Sequence, residues 1–359
     1  MMTTTQNKKV ALIAGASGTV GQQLTRALVA EKWQVIALTH RSACDTGGTE
    51  TLEVDLLDRQ QSEHRLASLT SVTHLFYSAW LNGADWAAMA GPNLTMLQNL
   101  VRGVEAIAPL EHVSLMQGYK VYGAHLGRFK TPARESDPGV PGAEFNAAQL
   151  NWLTAQQQGK AWYWSAPRPG VVGSDRPGNS MNLALSLALY ASICRKTRLP
   201  FRFPGSAETW HSMVDFTDAS LLAGATIWAA RSPNARNQAF NINNGDLWRW
   251  SELWPVIAGW FELEIAPPVT LSFRQMFQDY RALWQQIAAE SALVQPDILA
   301  LSDGAFADFV FGWDYDMFAE AAGSGEPALT GIAPPMRYSA ICLPASGRRA
   351  SFRNACIGC

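Results

Sequence analysis

The sequence predicts an α/β protein, a doubly wound parallel sheet with a smaller C-terminal lobe, and three observations carry that expectation. The first is a short apolar run, Lys9-Val10-Ala11-Leu12-Ile13-Ala14, followed by glycines at 15, 18 and 21 and then by Val20, Leu24 and Leu28 at helical spacing. The second is a regular alternation of strand-like and helix-like stretches up to Pro169-Gly170. The third is a change of texture beyond that point, towards long apolar helices and tryptophan-rich segments.

Each element has its reason. The first run has the apolar, β-branched character of a strand buried on both faces. In Gly15-Ala16-Ser17-Gly18-Thr19-Val20-Gly21, Gly15 allows a tight turn and Gly18 lets backbone N–H groups approach a pyrophosphate. Gly21 lets the helix pack closely on the strand. Ser17, Thr19 and Val20 complete a loop whose helix presents its positive end to phosphates, so a Rossmann-type dinucleotide site is expected here.

A second strand, Gln34-Val35-Ile36-Ala37-Leu38, runs into Thr39-His40-Arg41 with no acid to bind ribose hydroxyls. Arg41 offers a charged fork suited to a 2′-phosphate, which points to NADP(H); the alternative is a solvated surface arginine. The third strand is expected over Leu52–Leu57, with Asp55 and Leu56 near the adenine. The fourth is expected over Leu75–Trp80, bringing Ala79 beside the nicotinamide ribose. Leu94, Leu97, Leu100, Val101 and Val104 predict a helix over Asn93–Ala108. His112–Met116 and Ala161–Ala166 read as the fifth and sixth strands, and Val171 beyond the sixth is counted with the cofactor set. Met181–Lys196, Ser220–Ala230 and Trp248–Phe261 read as helices, and Pro200–Gly205 as a turn-rich strand region. The expected domains are a dinucleotide-binding core over 1–175, a substrate lobe with returns to the core over 176–322, and an irregular, poorly ordered tail over 323–359.

Composition sets the class. The chain has 359 residues, 48% of them hydrophobic, enough for a large core. A net charge of −2 gives no electrostatic footprint for nucleic acid. No apolar stretch approaches the roughly 20 residues that cross a bilayer, and Met1–Asn7 is too polar for a signal peptide. Cys44, Cys194, Cys342, Cys356 and Cys359 are scattered, which suits a reducing, cytoplasmic setting. Cys356 and Cys359 have no second pair, so no metal site is expected. Most of the 14 tryptophans should pack the core, and some should line a pocket for a small apolar substrate. A homodimer is an open expectation.

None of the seven lysines has a tyrosine four positions before it, so the ordinary Tyr-x-x-x-Lys pair of short-chain dehydrogenases is absent. At the end of the fifth strand stands Gln117-Gly118-Tyr119-Lys120-Val121-Tyr122-Gly123 instead. A lysine there points into the crevice where such sheets bind ligands; the alternative is a solvated loop lysine.

With these residues the sequence resembles the progesterone 5β-reductase/iridoid synthase-like (PRISE) family, atypical extended short-chain dehydrogenases/reductases. The family's Gly-x-Lys-x-Tyr matches Gly118–Tyr122, and its Arg-Pro-Gly matches Arg168-Pro169-Gly170. Asn179-Ser180-Met181-Asn182, Leu199–Gly205, Ala239–Asp246 and Phe311–Asp316 are also family-like, and the resemblance covers about residues 8 to 318. It implies NADPH-dependent reduction of an activated C=C bond, with Lys120 in the place of the lysine that stabilises an enolate oxygen. The family's tyrosine does not carry over: Asn146 and Ala147 stand where two tyrosines are expected. Three readings are open. Tyr122, Tyr119 or the Asn146 amide supplies the missing donor; or a strongly polarised substrate needs less help; or the pocket isomerises or cyclises its substrate and keeps NADP as a structural element. A protein that senses NADP(H) without catalysis is a further alternative, against which the retained Lys120 argues.

Overall fold

A computed structural model describes residues 9–40, 49–140, 145–174 and 181–320. Arg41 and the 323–359 tail therefore lie outside the described residues. In chain order the elements run β1 (Val10–Ala14), α1 (Thr19–Ala30), β2 (Gln34–Thr39), β3 (Glu50–Glu53), α2 (Arg59–Leu66), β4 (His74–Tyr77), α3 (Trp86–Glu105) and β5 (His112–Leu115). A 3-10 turn (Tyr119–Tyr122), α4 (Phe145–Gln157), β6 (Tyr163–Pro169), β7 (Val171–Gly173), α5 (Leu183–Thr197), β8 (Phe201–Arg202) and α6 (Ala207–His211) follow. Then come β9 (Met213–Asp218), α7 (Ala219–Arg231), β10 (Gln238–Ile242), β11 (Leu247–Arg249), α8 (Trp250–Phe261), β12 (Ile265–Ala266) and further short helices up to Phe311.

Seven strands form one sheet in the order β10-β6-β5-β4-β1-β2-β3. β1 pairs in parallel with both β2 and β4, Ile13 lying opposite Ala37 on one side and Phe76 on the other. The strand order reverses between β1 and β4, so their carboxyl ends open a crevice at the topological switch point. Both faces are covered. Val10, Leu12 and Ala14 pack with Leu97, Leu100 and Val104 of α3, while Ala11 and Ile13 pack with Leu24 and Leu28 of α1 and Ile227 of α7. Burial on both sides is why β1 reads as an unbroken apolar run.

Boundaries moved where local hydrogen bonds overrode the apolar pattern. The third strand is Glu50–Glu53 and stops before 54–57, because the Asp55 carboxylate accepts the Leu57 N–H at 2.9 Å and turns the chain. The helix expected from Asn93 begins at Trp86, where Asp85 caps the Ala88 N–H, and it continues through Pro92. Trp248 belongs to β11, opposite Val214, so the tryptophan-rich helix starts at Trp250.

The chain divides into two compact units. The first comprises the chain up to His125, Glu135–Arg168 and Ser220–Ile242, and carries the seven-stranded sheet. The second comprises Leu126–Arg134, Pro169–Ala219 and the described residues from Asn243 onward, so each unit is built from separate stretches of the chain. Its core is aromatic: Phe201 stacks on Trp254 with ring centroids 4.4 Å apart, and the Trp254 indole N–H donates to the Phe201 carbonyl at 3.1 Å. Buried Phe203, Trp250, Phe273 and Phe311 surround that pair. Among the described residues no helix is long and apolar enough to cross a membrane.

Candidate active site

The glycine loop sits at the switch point. Gly15 has φ +81°, and a Cβ there would lie 2.7 Å from the Ser78 carbonyl and the Ala79 nitrogen, so only glycine lets the β1 and β4 ends approach. A Cβ on Gly21 would lie 2.1 Å from the Gly15 carbonyl oxygen, which explains the close seat of α1 on the loop. The Gly18 N–H donates to the Gly15 carbonyl at 3.0 Å, and the first bond of the helix runs from the Gln22 N–H to the Gly18 carbonyl at 2.9 Å. No side chain caps the helix, so the N–H groups of Thr19, Val20 and Gly21 have no acceptor within it. The buried Thr19 hydroxyl has no hydrogen-bond partner. Ser17 is exposed at the loop tip, its carbonyl accepting from Gln22 Nε2 at 2.9 Å. Unsatisfied donors at a helix N-terminus, with no side chain in the way, fit the pyrophosphate of a dinucleotide.

The other expected cofactor residues divide. β2 ends at Thr39, and neither it nor His40 is acidic. Asp55 lies beyond β3 in the turn described above, its N–H donating to Gln61 Oε1 at 2.7 Å. The Leu56 side chain is in the core and its carbonyl accepts from Asn99 at 2.9 Å. Ala79 is half-buried against the Gly15 turn. Val171 lies in the core of the second unit, opposite Phe216 in β7–β9 pairing, so its side chain is engaged in packing.

Lys120 rides on the 3-10 turn at the carboxyl end of β5. Its ammonium lies 4.4 Å from the ring centroid of Trp86 and 5.2 Å from that of Trp80. Trp80 in turn stacks on Phe145, the first residue of α4, at 6.4 Å and 20°. Cation–π contacts of this kind restrict where the amine points. Asn146, the next residue, is buried, and its backbone carbonyl accepts from Gln117 Nε2 at 2.9 Å.

Tyr122 is engaged on both sides of its hydroxyl. Its hydroxyl donates to Asn241 Oδ1 at 2.7 Å and accepts from Arg168 Nη1 at 3.0 Å. Burial raises its pKa, partly offset by the Arg168 guanidinium. A phenol has one proton, and here that proton is engaged inside the fold. Tyr119 is buried, its ring 6.1 Å from that of Tyr122. The structure thus brings Lys120 and Asn146 onto neighbouring elements and engages the Tyr122 hydroxyl with Asn241 and Arg168. Sequence reasoning missed Trp80, Trp86, Phe145 and Gln117 as residues of this site. Their separation along the chain and lack of common spacing left no signal, whereas Arg168 could have been found through the Arg-Pro-Gly element.

Comparison with known proteins places the chain in a family. Residues 12–291 match the PRISE-like Rossmann-fold domain. An (S)-8-oxocitronellyl enol synthase from Camptotheca acuminata is 31% identical over 330 residues, covering 85% of this chain and 83% of that protein. A 3-oxo-Delta(4,5)-steroid 5-beta-reductase from Arabidopsis thaliana is 30% identical with the same two coverages. In structure, a UDP-glucose 4-epimerase from Thermus thermophilus, complexed with NAD, gives a TM-score of 0.57 at 18% identity. That likeness spans 84% of this chain and 98% of the epimerase, and it shows the fold. On a match over residues 12–291 and relatives 30–31% identical across 85% of its length, the chain belongs to the PRISE-like Rossmann-fold family.

Proposed function

We propose that this protein is an NADPH-dependent reductase of the activated C=C bond in a small apolar enone or enal. The observation that carries the reading is Lys120, held at the carboxyl end of β5 by a defined turn and flanked by two indoles. The bare N-terminus of α1 and the unpartnered Thr19 hydroxyl support a dinucleotide there. In this reading the backbone from Gly15 to Gly21 binds the pyrophosphate and Arg41 takes the 2′-phosphate. NADPH, when bound, supplies the hydride for the β-carbon of the substrate. As the C=C electrons shift towards the carbonyl, its oxygen gains negative charge, and the Lys120 ammonium stabilises that charge. Asn146 offers an amide N–H as second donor in place of a phenol. The α-carbon then takes a proton from solvent, which completes the addition of two hydrogens across the double bond.

The test is NADPH oxidation by the purified protein with a panel of enones and enals, read beside product analysis. Stoichiometric loss of NADPH and saturated product support the reductase. The replacement of the family's tyrosines by Asn146 and Ala147 favours a second reading, an isomerase or cyclase that keeps the dinucleotide without consuming it. One relative is named as a reductase and another as an enol synthase. Full substrate conversion with oxidised cofactor would overturn the first reading in favour of the second.

A further inference from the structure

We infer that Arg168 is a positioning residue that aligns both proposed catalytic groups, Lys120 and Asn146, through one buried hydrogen-bond network. The inference rests on the reading of that site given above. A guanidinium is costly to bury, and nothing in the proposed chemistry uses this one directly. Arg168 is only 7% exposed and lies at the end of β6, beside β5 in the sheet. Its Nε donates to Gln117 Oε1 at 3.0 Å, and its Nη1 donates to the Tyr122 hydroxyl at 3.0 Å and to the Glu135 carbonyl at 3.3 Å. The same plane lies 5.3 Å from the Tyr122 ring centroid. Gln117 precedes the 3-10 turn and Tyr122 ends it, so one rigid group grips the turn on both sides of Lys120.

The direction of each proton follows from the fact that arginine only donates. Facing Arg168, the Gln117 amide must present its oxygen, which turns its NH₂ to the Asn146 carbonyl at 2.9 Å. Facing Arg168, Tyr122 must present a lone pair, which sends its proton to Asn241 at 2.7 Å. Asn241 is held in turn by its own N–H, which donates to Glu135 Oε1 at 2.8 Å. Lysine is a point donor and cannot bridge Gln117 and Tyr122 as a planar fork does. Glutamine can accept as well as donate, which frees both neighbours to flip.

The experiment compares Arg168→Lys and Arg168→Gln in the full chain, alone and combined with Lys120→Ala. Misplacement of reacting groups by about 1 Å typically costs about 10²-fold in rate. We expect kcat for a cyclic enone to fall about 10- to 100-fold, less for lysine than for glutamine, with the KM for NADPH changed by less than about twofold. Added to Lys120→Ala, either change should cost less than it does alone, because one of the two groups it positions is gone and only Asn146 remains. Amide exchange should accelerate at 117–123 and 145–149 and stay unaltered in the rest of the sheet. A kcat equal to wild type, or a double variant that multiplies the two losses, would overturn the assignment. Should wild type consume no NADPH with any enone, the reductase reading falls, while exchange still decides this inference: unaltered exchange in both segments sinks it. If the Arg168 variants do not fold, Tyr122→Phe and Gln117→Met cut one strut each and are judged by the same exchange criterion.

Discussion

Two buried histidines should make this fold acid-sensitive in a window set by their environment. His74 and His112 open β4 and β5 and lie opposite each other in the sheet, with ring centroids 6.3 Å apart. His74 bonds Thr73 Oγ1 at 2.8 Å, meets Trp33 edge-on, and faces Lys9 and Arg231. His112 bonds Ser165 Oγ at 2.9 Å and faces His74 and Arg236. Burial first, then these neighbours, lower His74 to about 4 and His112 to about 3, from an ordinary 6.5. Both rings are thus neutral in the folded protein, while the unfolded chain protonates them below about pH 6.5. Stability from this source is complete above pH 6.5 and falls as pH drops towards 4 and 3, at about 1.4 kcal/mol per pH unit for each ring. By pH 5 the two together remove about 4 kcal/mol, against a total of roughly 5–15 kcal/mol for a typical domain. Urea unfolding followed by far-ultraviolet circular dichroism from pH 7 to pH 4 measures the loss. His112→Gln should reduce the slope by about 1.4 kcal/mol per pH unit between about pH 6.5 and pH 4. A slope identical in the variant, or a His112 resonance titrating near pH 6.5, would refute the reasoning.

The remaining predictions concern the site. Lys120→Ala should slow hydride transfer about 10²- to 10³-fold, read by stopped-flow NADPH oxidation, and loss of less than threefold would remove Lys120 from the chemistry. Binding should favour NADPH over NADH by roughly 10- to 100-fold, the worth of one charge-assisted phosphate pair, and Arg41→Ala should erase the preference in calorimetry. Gly21→Val places its Cβ 2.1 Å from the Gly15 carbonyl, so the loop must shift. Such overpacking costs about 1–3 kcal/mol and should abolish NADPH binding; normal affinity would mean the phosphate loop lies elsewhere.

Much of the first unit was legible along the chain because its signals are local. The β1–loop–α1 fingerprint needs only a run of apolar residues, three spaced glycines and a helical period, and each comes from backbone sterics within 20 residues. Element ends were less legible. β3 stops early because Asp55 forms a side-chain turn, and α3 starts early because Asp85 caps it, and both bonds compete with the apolar period that sequence reading follows. Pro92 lies inside that helix, whose inner face is buried.

The site divides in the same way. Lys120 was visible because a lysine after a parallel strand has a direction set by the strand itself. Trp80, Trp86 and the contact of Gln117 with Arg168 were not, since a ring over an ammonium or a fork between two side chains depends on distances across the sheet. Tyr122 shows the difference most clearly. Its place two residues after Lys120 suggested a proton donor, and only the fold, by setting Arg168 and Asn241 against its hydroxyl, engaged that proton elsewhere. Sequence alone determined six of the sheet's seven strands, the glycine loop and the place of Lys120 after β5, all properties of short segments. Tertiary structure alone decided which polar groups are satisfied internally, because that depends on partners 46 and 119 residues away.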